Sequence, residues 1–410
     1  MSIKHQLAAT ALALIGTAGA LFAPATAQAA PPVAAGYANI SGPGTVGQWR
    51  TLPAGDIYNS SGQGALVMHN GQGSYSVQFP GLGVTGNPGT ALPGVVHAQS
   101  TLSGTDVCQP ASAPFLASSG VMQVTIKCFN PSGASVDPFS MVVTYNRDGS
   151  EGGRLNTVRL SKDDIAQLTS PGATVAPAVQ FSSLPGPITV RRDLSPTPQT
   201  PGFYTFAIPR NPGAARVHAV NVSAMDVNAG LSRVVCNVTS DAPDPSNDKI
   251  ELVRVGCHNM NGTATDNPVN LTFAEDVNTL GKLTLSYAHV TTPTYNTNNT
   301  PEPSKELFAD HQRNDFGGVP GRVWFEKIGL GHFQVYLQNQ DRQQGNLGAV
   351  SVIPTGSSTV NKVCNLADDF NTTEPSTGTP ARRIRFLCFD RVTGAVWTSA
   401  RFQLNYTARQ

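Results

Sequence analysis

Charge is what this chain has least of. Lys, Arg, Asp and Glu together make up 13% of its 410 residues and leave a net charge of +1, about half the charged share of an ordinary soluble protein. No basic patch is present to gain from counterion release, so neither nucleic acid nor an anionic membrane surface is an expected partner. Chemistry-bearing motifs are missing too. There is no G-x-S-x-G elbow, no H-E-x-x-H pair and no Walker loop. Without a C-x-x-C or a histidine cluster at ligand spacing, neither a metal site nor a cofactor is expected. Tryptophan occurs three times, and beyond the first residues no apolar run is long enough to span a bilayer. Gly (40) and Pro (31) are plentiful, but they fall between apolar runs and read as turns.

The segment 1–29 carries the marks of a secretory leader. Lys4 and His5 precede an apolar stretch from Leu7 to Phe22, and Ala27-Gln28-Ala29 is a small-residue cleavage site. The expected mature chain starts at Ala30 and works outside the cytoplasm, secreted and not inserted in a membrane.

The few cysteines are placed with regularity. Cys108, Cys236 and Cys364 are evenly spaced, and Cys128, Cys257 and Cys388 follow them at similar intervals. Six cysteines allow about 15 pairings. A threefold repeat selects one of these, Cys108–Cys128, Cys236–Cys257 and Cys364–Cys388, in an oxidising compartment that favours disulfides.

Aligned on the cysteines, the repeats share more. Gly73, Gly202 and Gly331 recur at one constant interval. After each comes an alternating segment with one apolar face: Tyr75, Val77 and Phe79; Tyr204, Phe206 and Ile208; Phe333, Val335 and Leu337. Alternation of this period predicts half-buried strands. Gly71-Gln72-Gly73 and Gly329-Leu330-Gly331 predict hairpin turns. Further strands are expected over Val95–Ala98, Val217–Val220 and Ala349–Ile353, ending at the first cysteine of each pair, approaching the second, and over Phe139–Tyr145, Val269–Phe273 and Phe402–Tyr406. Tyr37-Ala38-Asn39-Ile40 and Tyr287-Ala288-His289-Val290 look like matching opening strands. Only Ser161 to Leu168 predicts a helical turn, with an N-cap at its start.

The expected fold is therefore all-β. It comprises three tandem antiparallel β-sandwich or barrel domains at 30–148, 149–278 and 279–410, each with one disulfide that joins neighbouring strands or staples two sheets.

Gly71 to Leu82 and Val124 to Ala134 also carry a resemblance. They are similar to a module found in tandem in secreted bacterial proteins, in which G-x-G-x-Y-x-V-x-F-P-G-L is followed by a Cys and then by V-x-C-F-x-P-x-G-A. The match covers most of the first repeat. The third keeps Cys388-Phe389-Asp390 and Gly394-Ala395, and in the second His258 replaces the Phe after the second cysteine. The resemblance implies architecture and export and assigns no catalytic residue.

Candidate functional residues are few. His97 and His218 sit at comparable strand positions. Asp241, Asp244 and Asp248 crowd one loop, as calcium ligands do, though at no calcium-motif spacing; Asp368 and Asp369 follow in the third repeat. Glu251, Glu275 and Glu326 are the carboxylates available for glycoside hydrolysis. Trp49, Trp324 and Trp397 occupy different places in their repeats, and Trp397, after Gly394, is the expected exposed ligand-binding aromatic. Phe129 and Phe389 are expected to pack under the adjacent loop. These features predict a non-catalytic binding or structural protein with an extracellular or cell-envelope ligand, a glycan among the candidates. The alternatives are a carbohydrate-binding protein with its site on one repeat, and a secreted hydrolase with a site between repeats.

Overall fold

A computed structural model describes residues 33–101, 104–147, 149–170, 172–193, 201–212, 217–225, 233–282, 285–292, 301–316, 318–340, 348–356, 361–397 and 401–409. The leader expected over residues 1–29 lies outside them.

Strands dominate, and the alternating segments form them for the expected reason. On Ser74–Pro80, Phe203–Pro209 and His332–Gln338 every predicted inward residue, from Tyr75 to Leu337, is at most 1% exposed. Met122, Val124, Ile126 and Cys128 are buried in the same alternating way on Val121–Phe129. The one α-helix among the described residues, Lys162–Gln167, has a capping box. Ser161 Oγ accepts from the Asp164 amide at 3.1 Å, and Asp164 accepts from the Ser161 amide at 2.8 Å.

Three pairs of sheets repeat one strand order. In the first, Trp49–Thr51, Leu66–Gly71, Ser74–Pro80, Val121–Phe129 and Val107–Pro110 make a sheet. It faces a second, made of Val95–Thr101, Ser140–Arg147, Ala34–Ser41 and Ile57–Asn59. The same plan recurs between Arg154 and Glu275, and between Ser286 and Ala408. Each pair encloses one core drawn from both sheets, centred on Val77 and Val143, on Phe206 and Phe273, and on Phe333 and Phe402. This is sandwich packing. We call these units 1, 2 and 3.

Each disulfide lies within one sheet. Cys108 faces Cys128, Cys236 faces Cys257 and Cys364 faces Cys388, directly opposite on neighbouring antiparallel strands, with Cα atoms 4.0–4.1 Å apart. The strand that carries the first cysteine does not end there, as expected, but begins there. Val235–Asp244 and Lys362–Thr373 run on for many residues, because both pair with the equally long partners Asn247–His258 and Pro380–Asp390. The opening strands are also offset. Gly36 pairs with Tyr145 and Ala288 with Tyr406, so Tyr37 corresponds to His289 and not to Tyr287.

The units do not hang as beads. Residues 33–410 form one compact body, in which the strands Val95–Thr101, Ala219–Ala224 and Ala349–Pro354 meet around a common axis. Ile353 of unit 3 belongs to the core of unit 2, and the parallel pair Leu366 and Thr101 joins the cysteine sheet of unit 3 to the Val95–Thr101 sheet of unit 1 as one nine-stranded sheet.

Candidate functional site

Two repeated arrangements organise many of the buried polar side chains. The first is a clamp at the cysteine hairpin. Asp137 accepts hydrogen bonds from the Gly73 amide (2.7 Å), the Tyr75 hydroxyl (2.9 Å) and His69 Nε2 (2.9 Å). Burial opposes its charge, but the Gly73 amide, Tyr75 and His69 together hold its carboxyl below the usual range. Unit 2 repeats this with Asp266, Gly202 and Tyr204, and Arg192 grips the carboxylate at 2.7 and 2.8 Å in place of the histidine. In unit 3 the register puts Lys327 at the cation's place and Phe333 at the tyrosine's. The sequence there offers Thr398, outside the described residues, where the others have aspartate. A His–Asp–Tyr group could be read as catalytic. A position that accepts His, Arg or Lys, while the carboxylate bonds the same glycine amide in units 1 and 2, is a structural pin for the 130–137 loop and its copy.

The second arrangement surrounds the axis. A cavity of about 90 Å³ lies there, lined by all three disulfides and by equivalent strands of the three units. Its polar lining is neutral: His97, Ser100, Asn221, Ser223, Ser351 and Asn405. Apolar side chains, Val222, Val350 and Val352 among them, make up most of the rest of the lining. His97 is buried, with Nδ1 3.0 Å from Ser223 Oγ and Nε2 2.9 Å from Thr272 Oγ1. Hydroxyls donate or accept as required, so a neutral imidazole is fully satisfied there. Burial pushes its pKa down to about 3.

The same side-chain positions join successive units. Asn270 of unit 2 donates to the Val96 carbonyl of unit 1 at 2.8 Å. At the matching place, Gln403 of unit 3 accepts from the Val220 amide of unit 2 at 2.9 Å. Arg159 of unit 2 reaches the Gly94 carbonyl of unit 1, and Asn39 of unit 1 reaches the Gly348 carbonyl of unit 3. Gln99 joins unit 1 to unit 3 through Val352 and the Cys364 carbonyl, at 2.7–3.2 Å. The contacts run in one rotational sense, as they do around a trimer.

Ionisable groups gather where unit 2 meets unit 3. His218 bonds Asp241 at 2.7 Å, and Asp241 accepts from Gln403 of unit 3 at 3.0 Å. Burial would lower the pKa of His218, but Asp241, with Glu251 and Glu275, outweighs it and the pKa rises. Burial raises the pKa of both Glu251 and Glu275 against their cationic neighbours. Glu251 pairs with Arg210 at 2.8 Å and Glu275 with Arg154 at 3.5 Å.

Several expected sites are thereby reassigned. His97 and His218 are not equivalent. The register places Asn221 at the position of His97, three residues past His218. Asp244 caps its own turn through Ser246 while Asp241 faces His218, so the three aspartates do not converge. Asp368 and Asp369 pair with Arg383, Arg385 and Arg382. Glu326 accepts from Tyr336 at 3.1 Å and from Gln334, within unit 3. Phe129 and Phe389 are buried together with Val107 and Val363.

Trp397 is the clearest correction. It is 8% exposed, packs in the core of unit 3, and its amide donates to the Cys388 carbonyl at 2.9 Å. Val136 and Thr265 make the same backbone bond in units 1 and 2. The loop after Gly394 therefore folds back onto the cysteine strand and turns the indole inward. Trp324 is buried, and the exposed tryptophan is Trp49, 39% exposed, with Val46 and Phe139 exposed in the same unit. Sequence reading missed Asp137 and Asp266. They occupy the same place relative to the second cysteine, a signal that two repeats carry and the third lacks. Comparisons with known protein families, with curated proteins and with solved structures return no match for this chain.

Proposed function

We propose that the chain is an exported, non-catalytic binding or structural protein that acts outside the cell or at its surface. The observation that carries this reading is where the polar groups are spent. His97, Gln99, Asn270, Gln403 and the Asp137 and Asp266 carboxylates all hold one part of the fold to another. Three disulfides suit an oxidising compartment, in line with the leader over residues 1–29 and with the resemblance to tandem modules of secreted bacterial proteins. Three packed copies form one compact body, and the proposed ligand is an envelope component, a glycan among the candidates. Trp49 replaces Trp397 as the aromatic to test, because it is the tryptophan that solvent reaches.

The experiment is a pull-down on purified cell envelope and on a glycan array with the folded, oxidised protein, beside panels of ester, glycoside and peptide substrates. Retention on the envelope without turnover supports the proposal. Turnover of any substrate class at an enzymatic rate, abolished by Glu251→Gln or Glu275→Gln, would replace it with the hydrolase reading.

A further inference from the structure

Arg391 has 0% exposure and heads, by size, the fully buried side chains among the described residues. It lies three residues past Cys388, where unit 1 has Pro131 and unit 2 has Met260. Unit 3 alone places a charge at this point of the repeat. Nη2 donates to the carbonyls of His258 (3.1 Å) and Asn259, across the junction with unit 2. Nε and Nη1 are buried and have no acceptor among the described residues. A guanidinium carries five N–H donors, so three of its donors are unclaimed there.

Burial outweighs the one carboxylate charge that acts on Arg391, that of the adjacent Asp390. Among the described residues no carboxylate forms an ion pair with Arg391, and Asp390 is taken by Lys362 (2.5 Å) and by the amides of Val392 and Thr393. Burial lowers the Arg391 pKa to about 10, so the group stays protonated in any ordinary medium. A buried charge without a partner is among the least favourable arrangements a fold can hold. One more orphaned atom belongs to an immediate neighbour. His258 Nδ1, a donor in one tautomer of the neutral ring, is buried, again with no partner among the described residues. His258 lends its carbonyl to Arg391, and the Asn361 carbonyl accepts from the Arg391 amide at 2.8 Å.

We propose that Arg391 and His258 form a buried site for one small monovalent anion, with chloride as the probe, which ties unit 3 to unit 2. One guanidinium sets the charge at one, since burial and Arg391 keep His258 neutral, with its pKa pushed down to about 4.

Two measurements test this. Thermal unfolding of the full chain is followed in chloride and in gluconate at matched ionic strength. The unaltered protein should gain about 2 °C for each tenfold rise in chloride above its dissociation constant, and Arg391→Met, which copies Met260 of unit 2, should lose that response. Equal melting in both salts overturns the site. Should the variant fail to fold, crystals of the unaltered protein soaked in bromide decide. An anomalous peak beside the Arg391 guanidinium supports the site, and its absence, with water alone against the guanidinium, overturns it.

Discussion

Cys128 and Gly73 constrain each other from both sides. The cysteine amide donates to the glycine carbonyl at 2.8 Å, and a β-carbon on the glycine would lie 2.5 Å from the cysteine carbonyl oxygen. Cys257 with Gly202, and Cys388 with Gly331, repeat both contacts, with hydrogen bonds of 2.8 and 2.9 Å and a β-carbon approach of 2.6 Å in each. All three glycines have positive φ, from 59° to 82°. Gly73→Ala should therefore destabilise the protein by roughly 2 kcal/mol or more, through strain and a backbone clash that no side-chain movement relieves. Denaturant unfolding checks this, with Gly120→Ala, which meets nothing within 4 Å, as the comparison for positive φ alone.

The disulfides close loops of 20, 21 and 24 residues. Removing one by a double Cys→Ala change should cost about 3 kcal/mol, mainly by freeing the unfolded chain. The three double variants should differ little in denaturant midpoint, because their loops and positions are equivalent.

Asp137→Asn keeps the shape of the clamp and removes its charge. A loss of about 1–2 kcal/mol is expected. The sign of the pH dependence follows from its lowered pKa. The unfolded chain takes up the proton first, so the contribution is present above the ordinary carboxylate range of about 4 and disappears as pH falls through the folded value. The variant should flatten the acid limb of a stability-against-pH curve.

His97 predicts a second acid effect. Its folded pKa of about 3 lies below the unfolded value of 6.5. The unfolded chain binds the proton throughout that window, so stability should fall as pH drops from about 6.5 toward 3. His258 and His289, with pKa values of about 4, act in the same sense. His218, whose pKa is raised, acts oppositely: its contribution is full below the unfolded value and lost as pH rises through the folded one. His97→Gln should reduce the slope below pH 6.5 and loosen the contact of unit 1 with Ser223 and Thr272, seen as faster amide exchange along Val95–Thr101.

What can be read from the chain is whatever is local and repeated. Period-2 alternation marks Tyr75, Val77 and Phe79 because burial on one face of a strand is a local pattern. The cysteine pairs follow from spacing, and the helix at Ser161 from its cap. What cannot be read joins distant residues. His97 meets Thr272 across 175 positions and Gln99 meets Cys364 across 265, and no periodicity announces a histidine or a glutamine that will lie on an axis. Trp397 defeats a reading by pattern because one extra residue in the loop after Cys388 shifts it into the place of Val136 and Thr265, a half-buried place that the sequence does not mark. Asp137 escapes it because an isolated aspartate reads as a turn residue until its three donors are in view.

The most direct test of the account is a non-reducing peptide map of the protein recovered from the culture medium. A chain that begins at Ala30 and carries only the links Cys108–Cys128, Cys236–Cys257 and Cys364–Cys388 is the predicted result. Links that cross from one unit to another, free thiols, or a retained leader would contradict an exported body built from three copies of one sulfur-bridged sandwich.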